Sequence, residues 1–68
     1  MNKNIILNGK ERKVGPLENV EELVTSLFEK PGAIIVELNE KIIKKAHWKE
    51  QPLAEGDVIE MIQLVGGG

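Results

Sequence analysis

The residues with the most distinctive chemistry in this 68-residue chain are its last four, Val65-Gly66-Gly67-Gly68. Three consecutive glycines bring no side chain to pack, and glycine loses more backbone freedom on ordering than any other residue. They predict a thin, unordered thread ending in a free carboxylate, joined directly to the apolar run 58–65. Extended at roughly 3.3–3.6 Å per residue, the glycines carry the carboxyl about 10 Å beyond the last ordered residue. Nothing branches from such a thread, so it fits a tunnel too narrow for ordinary residues. The competing reading is a frayed terminus or linker, which terminal glycines often are.

Other candidates for chemistry are isolated. His47 is the only histidine, beside Trp48 and close to Glu50. A metal site needs three or more converging ligands, and a His-dependent nucleophile needs a Ser or Cys neighbour. Ser26 has no base near it in sequence, and the chain has no cysteine, which excludes a disulfide, a zinc-thiolate site and a thiol nucleophile. Lys41, Lys44, Lys45 and Lys49 form a weak basic cluster of the kind that most often covers a solvated segment. The remaining glycines match no phosphate-binding fingerprint. Nothing assembles a catalytic or metal site, and the chain is expected not to be an enzyme. Trp48 is expected to anchor the core.

The elements that must position the tail follow from pattern. Asn8-Gly9 between two strand-like runs is a strong hairpin signal, because a type I′ turn needs positive φ at both central residues. The two-residue loop pairs Leu7 with Lys10, Ile5 with Arg12 and Lys3 with Val14. Ile5, Leu7, Val14 and the aliphatic stem of Arg12 then face the core, with Ile6 on the other side. Gly15-Pro16 ends the second strand. Asn19 and Glu22 resemble a capping box, and Val20, Leu23, Val24, Leu27 and Phe28 form one helical stripe. Glu18, Glu21 and Glu22 suit the helix N-terminus, Lys30 its last turn, and Pro31-Gly32 its stop. Ala33–Leu38 reads as a strand with Ile34, Val36 and Leu38 on one face. Asn39-Glu40-Lys41 reads as a turn, Ile42-Ile43 as a short strand, and 44–51 as irregular with one turn of helix. Pro52–Asp57 is a loop leading to a last strand, Val58–Val65, apolar on both faces and so expected at the sheet centre.

Size and charge limit the partners. Sixty-eight residues make one small domain with a thin core, expected over 1–65 with the glycine tail at 66–68. A net charge of −2 argues against a nucleic-acid or membrane-surface binder. No run approaches the roughly 18 apolar residues of a membrane span, and residues 1–4 lead into no signal-peptide core, so the expected location is cytoplasmic.

The Asn8-Gly9 hairpin, the single helix, the stretch Leu53-Ala54-Glu55-Gly56-Asp57-Val58-Ile59-Glu60 and the apolar strand running into terminal glycines together resemble the ubiquitin-like β-grasp sulfur carriers, most closely the ThiS family. The likeness extends to Lys44–Trp48 and covers the whole chain; one departure is that some members end in two glycines rather than three. It implies an α+β, β-grasp fold: a mixed four- to five-stranded sheet with one main helix on one face. It also implies a mechanism. A carboxylate is a poor electrophile, and an E1-like adenylyltransferase of the ThiF type would use ATP and magnesium to adenylate Gly68, with Gly66 and Gly67 threading into that partner. Sulfur from a cysteine desulfurase would then give a C-terminal thiocarboxylate, which a ThiG-type thiazole synthase would use in making the thiazole of thiamin. The chain itself would bind no cofactor. Similar tails occur on the small subunit of molybdopterin synthase and on ubiquitin-like protein modifiers, and a plain interaction domain of RNA-associated type is a further alternative that the acidity disfavours.

In a β-grasp sheet the first and last strands lie parallel and adjacent. If Ile59 and Met61 face the helix, Ile62 and Leu64 face away, with Ile6 and Ile35 of the same parity. These four aliphatics are expected to gather near the tail as a docking patch. A one-residue slip of the last strand would exchange the two faces.

Overall fold

Asn8 and Gly9 close the N-terminal hairpin, with φ of 50° and 82°. In the computed structural model, which describes residues 3–29 and 33–64, β1 (Asn4–Leu7) and β2 (Lys10–Lys13) pair in the expected register, Leu7 opposite Lys10 and Ile5 opposite Arg12. The Val14 N–H donates to the Lys3 carbonyl at 2.9 Å, and Ile5, Leu7 and Val14 are buried. Arg12 departs from expectation. It is exposed along with the whole of β2, as befits an edge strand, where charge discourages pairing with another chain.

Helix α1 (Val20–Leu27) begins as its sequence requires. The Asn19 Oδ1 accepts from the Glu22 N–H at 2.8 Å, and the Glu22 carboxylate accepts from the Glu18 N–H at 2.8 Å. One N–H that the first turn leaves without a partner is thereby satisfied, together with the N–H of the residue just before the cap. The helix ends earlier than Lys30 and Pro31-Gly32 would place it. Phe28 is already extended, its N–H bonded to the Val24 carbonyl. Thr25 and Ser26 donate their hydroxyls back to the carbonyls of Glu22 and Leu23, a competition that weakens a last turn. Phe28 stays partly buried against the core. Lys30, Pro31 and Gly32 lie outside the described residues.

β3 (Ile34–Leu38) alternates as expected, with Ile34, Val36 and Leu38 buried. The following turn is tighter than expected: Asn39 and Glu40, at φ 49° and 73°, form it alone, so Lys41 joins β4 (Lys41–Ile43). A six-residue 3₁₀-helix (Lys45–Glu50) then packs against α1. It buries Trp48, whose indole N–H donates to the Ile43 carbonyl at 2.9 Å. Its hydrogen bond lets the ring enter the core without leaving an unpaired donor.

β5 (Val58–Gln63) is central in a five-stranded sheet of order β2-β1-β5-β3-β4, parallel to β1 and antiparallel to β3. Its entry is fixed by the loop before it. Gly56 turns at φ 86°, and the Asp57 carboxylate accepts from the Ala54 N–H and from the Asn39 side-chain amide. The buried residues of β1, β3 and β5 meet α1, Trp48 and Leu53 in one cluster, making a β-grasp α+β fold with one face of the sheet covered.

Replacing Trp48 by Ala should remove about 3–5 kcal/mol, close to the whole stability of a domain this small. Thermal melts should show a lost or much lowered transition; an unchanged midpoint would contradict the burial.

Candidate functional site

Whatever the chain presents beside its glycine tail depends on which side chains of β5 point outward. Two asparagine side chains settle that register. At the start of β5, the Asn39 Oδ1 accepts from the Val58 N–H at 2.9 Å while the Asn39 backbone N–H donates to the Val58 carbonyl at 2.7 Å. Midway along, the Asn8 Oδ1 accepts from the Met61 N–H at 2.8 Å, and the Asn8 backbone N–H donates to the Ile59 carbonyl. Both asparagines sit at turns with positive φ, a conformation asparagine adopts more readily than most residues. Ile59 and Met61 therefore point to the helix and are buried, whereas Val58, Glu60 and Ile62 point to the open face. Beyond β5, the Leu64 N–H donates to the Ala33 carbonyl at 2.8 Å, so backbone pairing with the chain before β3 continues to the residue preceding Val65. Gly66, Gly67 and Gly68 lie outside the described residues.

The expected patch of Ile6, Ile35, Ile62 and Leu64 does not form as one group. Ile35 and Ile62 are direct cross-strand partners, and Leu64 follows them at 53% exposed. Ile6, half-buried, is opposite Val58. Four residues at about 3.3 Å each put Ile6 about 13 Å from Ile62 along the strand direction, at the end of β5 away from the tail. All four residues lie on the outward side of their strands, but alternation says nothing of position along a strand.

Two further exposed aliphatics share the open face. Ile42, 67% exposed, is paired with Glu37, and Val58 is 45% exposed. The two-residue turn at Asn39-Glu40 is the signal that could have found Ile42, because such a loop pairs Leu38 with Lys41 and hence Glu37 with Ile42. Glu37 also lies directly opposite Glu60 on this face. Next to that pair, Asn39, Glu40, Val58 and Glu60 line an open groove of about 400 Å³.

The isolated candidates stay isolated. His47 is exposed on the 3₁₀-helix, as are Lys44, Lys45 and Lys49 around it. Ser26 is occupied with the Leu23 carbonyl. Among the described residues, no three acidic or histidine side chains converge as metal ligands, and no helix is long and apolar enough to cross a membrane.

Comparison with known proteins agrees on one family. The ThiS family model matches residues 5–68. The chain is 38% identical over 63 residues to the sulfur carrier protein ThiS of Bacillus subtilis, covering 91% of this chain and 96% of that one. It is 30% identical over 64 residues to a thiazole synthase of Paramagnetospirillum magneticum, covering 94% of this chain but spanning only 20% of that protein. The crystal structure of the thiamine biosynthesis protein ThiS from Geobacter metallireducens superposes with a TM-score of 0.79 at 31% identity, over 96% of this chain and 99% of that one.

Two substitutions test the register directly. Leu64→Glu should leave the unfolding free energy within about 0.5 kcal/mol of the parent, as exposed positions do. Ile59→Glu buries an unpaired carboxylate and should prevent folding. The opposite pattern in denaturant melts would mean that β5 is shifted by one residue.

Proposed function

Because the chain belongs to the ThiS family, we propose that it is a sulfur carrier for the thiazole step of thiamin biosynthesis, with sulfur borne on the C-terminal carboxyl of Gly68. The observation that supports this most is the extent of the family match. It runs through the whole domain and includes the glycine end, residues 5–68. The fold supports the same reading, since a small, closed body leads its central strand directly into the tail.

The chemistry divides between carrier and partners. The Gly68 carboxylate attacks the α-phosphate of ATP in an adenylyltransferase of the ThiF type, releasing pyrophosphate and leaving an acyl adenylate. Carboxylate and triphosphate are both anions, so the partner must supply magnesium and cationic groups to offset their repulsion. The persulfide that a cysteine desulfurase generates displaces AMP with its outer sulfur to give an acyl disulfide, and a thiol then cleaves the S–S bond, leaving the thiocarboxylate and a disulfide. A thiazole synthase then takes that sulfur. The relative in which a segment like this one makes up a fifth of a thiazole synthase supports a physical pairing of the two. In this reading the chain is a co-substrate rather than an enzyme, binds no cofactor of its own, and works in the cytoplasm beside its ATP-dependent partner.

Each residue at the exit has a defined part. Gly66 and Gly67 form the thread, and Gly68 carries the reacting carbon. Ile35, Ile62 and Leu64 form the surface that rests on the partner while the thread is inside it. Lacking cysteine, the carrier has no thiol that could trap its own activated end.

Incubation with ATP, magnesium, a ThiF-type adenylyltransferase, a cysteine desulfurase and cysteine should give a chain heavier by the difference between sulfur and oxygen, read by intact mass. Gly68→Ala should fold normally and be adenylated far more slowly, because a methyl group then adjoins the reacting carbon in a narrow tunnel. Removal of Gly67 and Gly68 should abolish adenylation and leave the melting midpoint unchanged. Equal adenylation of parent and Gly68→Ala, or conjugation to lysines of other proteins in place of the mass shift, would overturn the proposal.

A further inference from the structure

Asn8 is the only asparagine of the chain that precedes a glycine. Asparagine is a thermolabile residue, and it loses its side-chain amide most readily where nothing on the next residue crowds the backbone nitrogen. The setting of the turn adds to that susceptibility. Asn8 and Gly9 are both exposed, and open space surrounds Gly9, with nothing within 4 Å of where a Cβ would stand. Among the described residues the Gly9 N–H has no hydrogen-bond partner, so base in the solvent can reach its proton.

The Asn8 side chain, by contrast, is engaged. Its Oδ1 accepts from the Met61 N–H at 2.8 Å, and the Asn8 backbone N–H donates to the Ile59 carbonyl at 2.9 Å. Loss of the amide begins when the Gly9 nitrogen closes a ring onto Asn8 Cγ. That closure requires Asn8 to turn out of the left-handed conformation it holds at φ 50°. At this position a type I′ turn sets ψ to about 30°, which leaves the following nitrogen turned away from the side chain. The rotation that brings it round breaks both bonds to β5. Asn39 holds the Val58 N–H in the same way, but Glu40 follows it, and a side chain there crowds the attacking nitrogen.

We propose that Asn8 is a deamidation site which the folded chain keeps closed through the Met61 N–H, and that its isoaspartyl product frees β5 from that hold. The site belongs to the fold of this chain and does not depend on the carrier reading. The Gly9 nitrogen gives its proton to base and attacks Asn8 Cγ. A bond forms between that nitrogen and Cγ, the Cγ–Nδ2 bond breaks, and ammonia leaves with a proton from solvent. Water then opens the cyclic imide at one of its two carbonyls. Opening at Cγ gives aspartate, whose carboxylate still offers an oxygen to the Met61 N–H. Opening at the Asn8 main-chain carbonyl gives isoaspartate, with the backbone routed through Cβ and Cγ and lengthened by one methylene. The lengthened turn no longer sets Leu7 opposite Lys10, and the Met61 N–H loses its acceptor. Opening of the clamp thus becomes irreversible once the isoaspartyl form is made.

The full chain and a synthetic peptide of residues 4–13 are aged side by side in mildly alkaline buffer, and peptide mapping reads the mass gained when amide becomes acid. A lone hairpin is at best marginally stable in water, so the peptide stands for the open chain. Asn8 should react at least about tenfold more slowly in the protein, since protection follows the free energy of local opening. Hydrogen exchange at the Met61 N–H of the same protein should be slowed as well, and deamidation should be slowed at least as much. Equal rates in protein and peptide would overturn the proposal. So would a protected Asn8 beside a freely exchanging Met61 N–H, because the turn alone would then account for the protection. Asn8→Asp should melt close to the parent, and the purified isoaspartyl form should melt well below it or show no transition. An isoaspartyl form with the midpoint of the parent would overturn the part given to the clamp.

Discussion

The register of β5 is the constraint on which the rest of this structure depends. A strand apolar on both faces has no preferred side by composition, and a slip of one residue would bury Glu60 and Ile62 while exposing Ile59 and Met61. Backbone pairing alone does little to oppose that slip, because every register offers a ladder of similar quality. The Asn8 and Asn39 side chains oppose it locally, each accepting one defined N–H of β5, those of Met61 and Val58. Both amides come from two-residue turns, so the two hairpin corners clamp the strand that runs between them.

From that clamp follows a division between the two faces. One face, together with α1, Trp48 and Leu53, forms the whole core. A domain of this size buries little surface and must use nearly all of it well. The 3₁₀-helix exists in this scheme to deliver one large indole whose N–H already has a partner, the Ile43 carbonyl. The other face contributes little to holding the fold together. It is thereby free to carry exposed isoleucines, opposed glutamates and a strained turn, features that a core would not tolerate.

The fold was legible in the sequence where a short motif dictates local geometry. Asn8-Gly9 fixed the hairpin register residue for residue, Asn19 and Glu22 marked the helix start, and Ile34, Val36 and Leu38 alternated as a half-buried strand must. The helix end was not legible, because the back-bonding of Thr25 and Ser26 competes silently with Lys30-Pro31-Gly32 as the stop. Arg12 misled because sharing the parity of Ile5 does not bury a side chain at the sheet edge. At the candidate site, which faces Ile6, Ile35, Ile62 and Leu64 occupy could be read from alternation. Their spacing could not, since it depends on how far β1 and β5 are offset, a long-range quantity set by the loop through Gly56 and Asp57. The opposed Glu37 and Glu60 were invisible because their pairing depends on the register of β3 against β5, which is equally long-range.

The parallel pairing of β1 with β5 also decides how the domain bears load. Parallel neighbours enter and leave the sheet at opposite ends, so β1 begins at one pole and β5 runs out at the other. Tension between a tethered N-terminal side and a gripped C-terminal thread acts along the two strands and not across them. Their shared hydrogen bonds, Ile6 to Asp57 and Asn8 to Ile59 among them, are then loaded together in shear instead of being unzipped one after another. A pull applied beyond the end of β5 thus acts on the sheet in its most resistant direction.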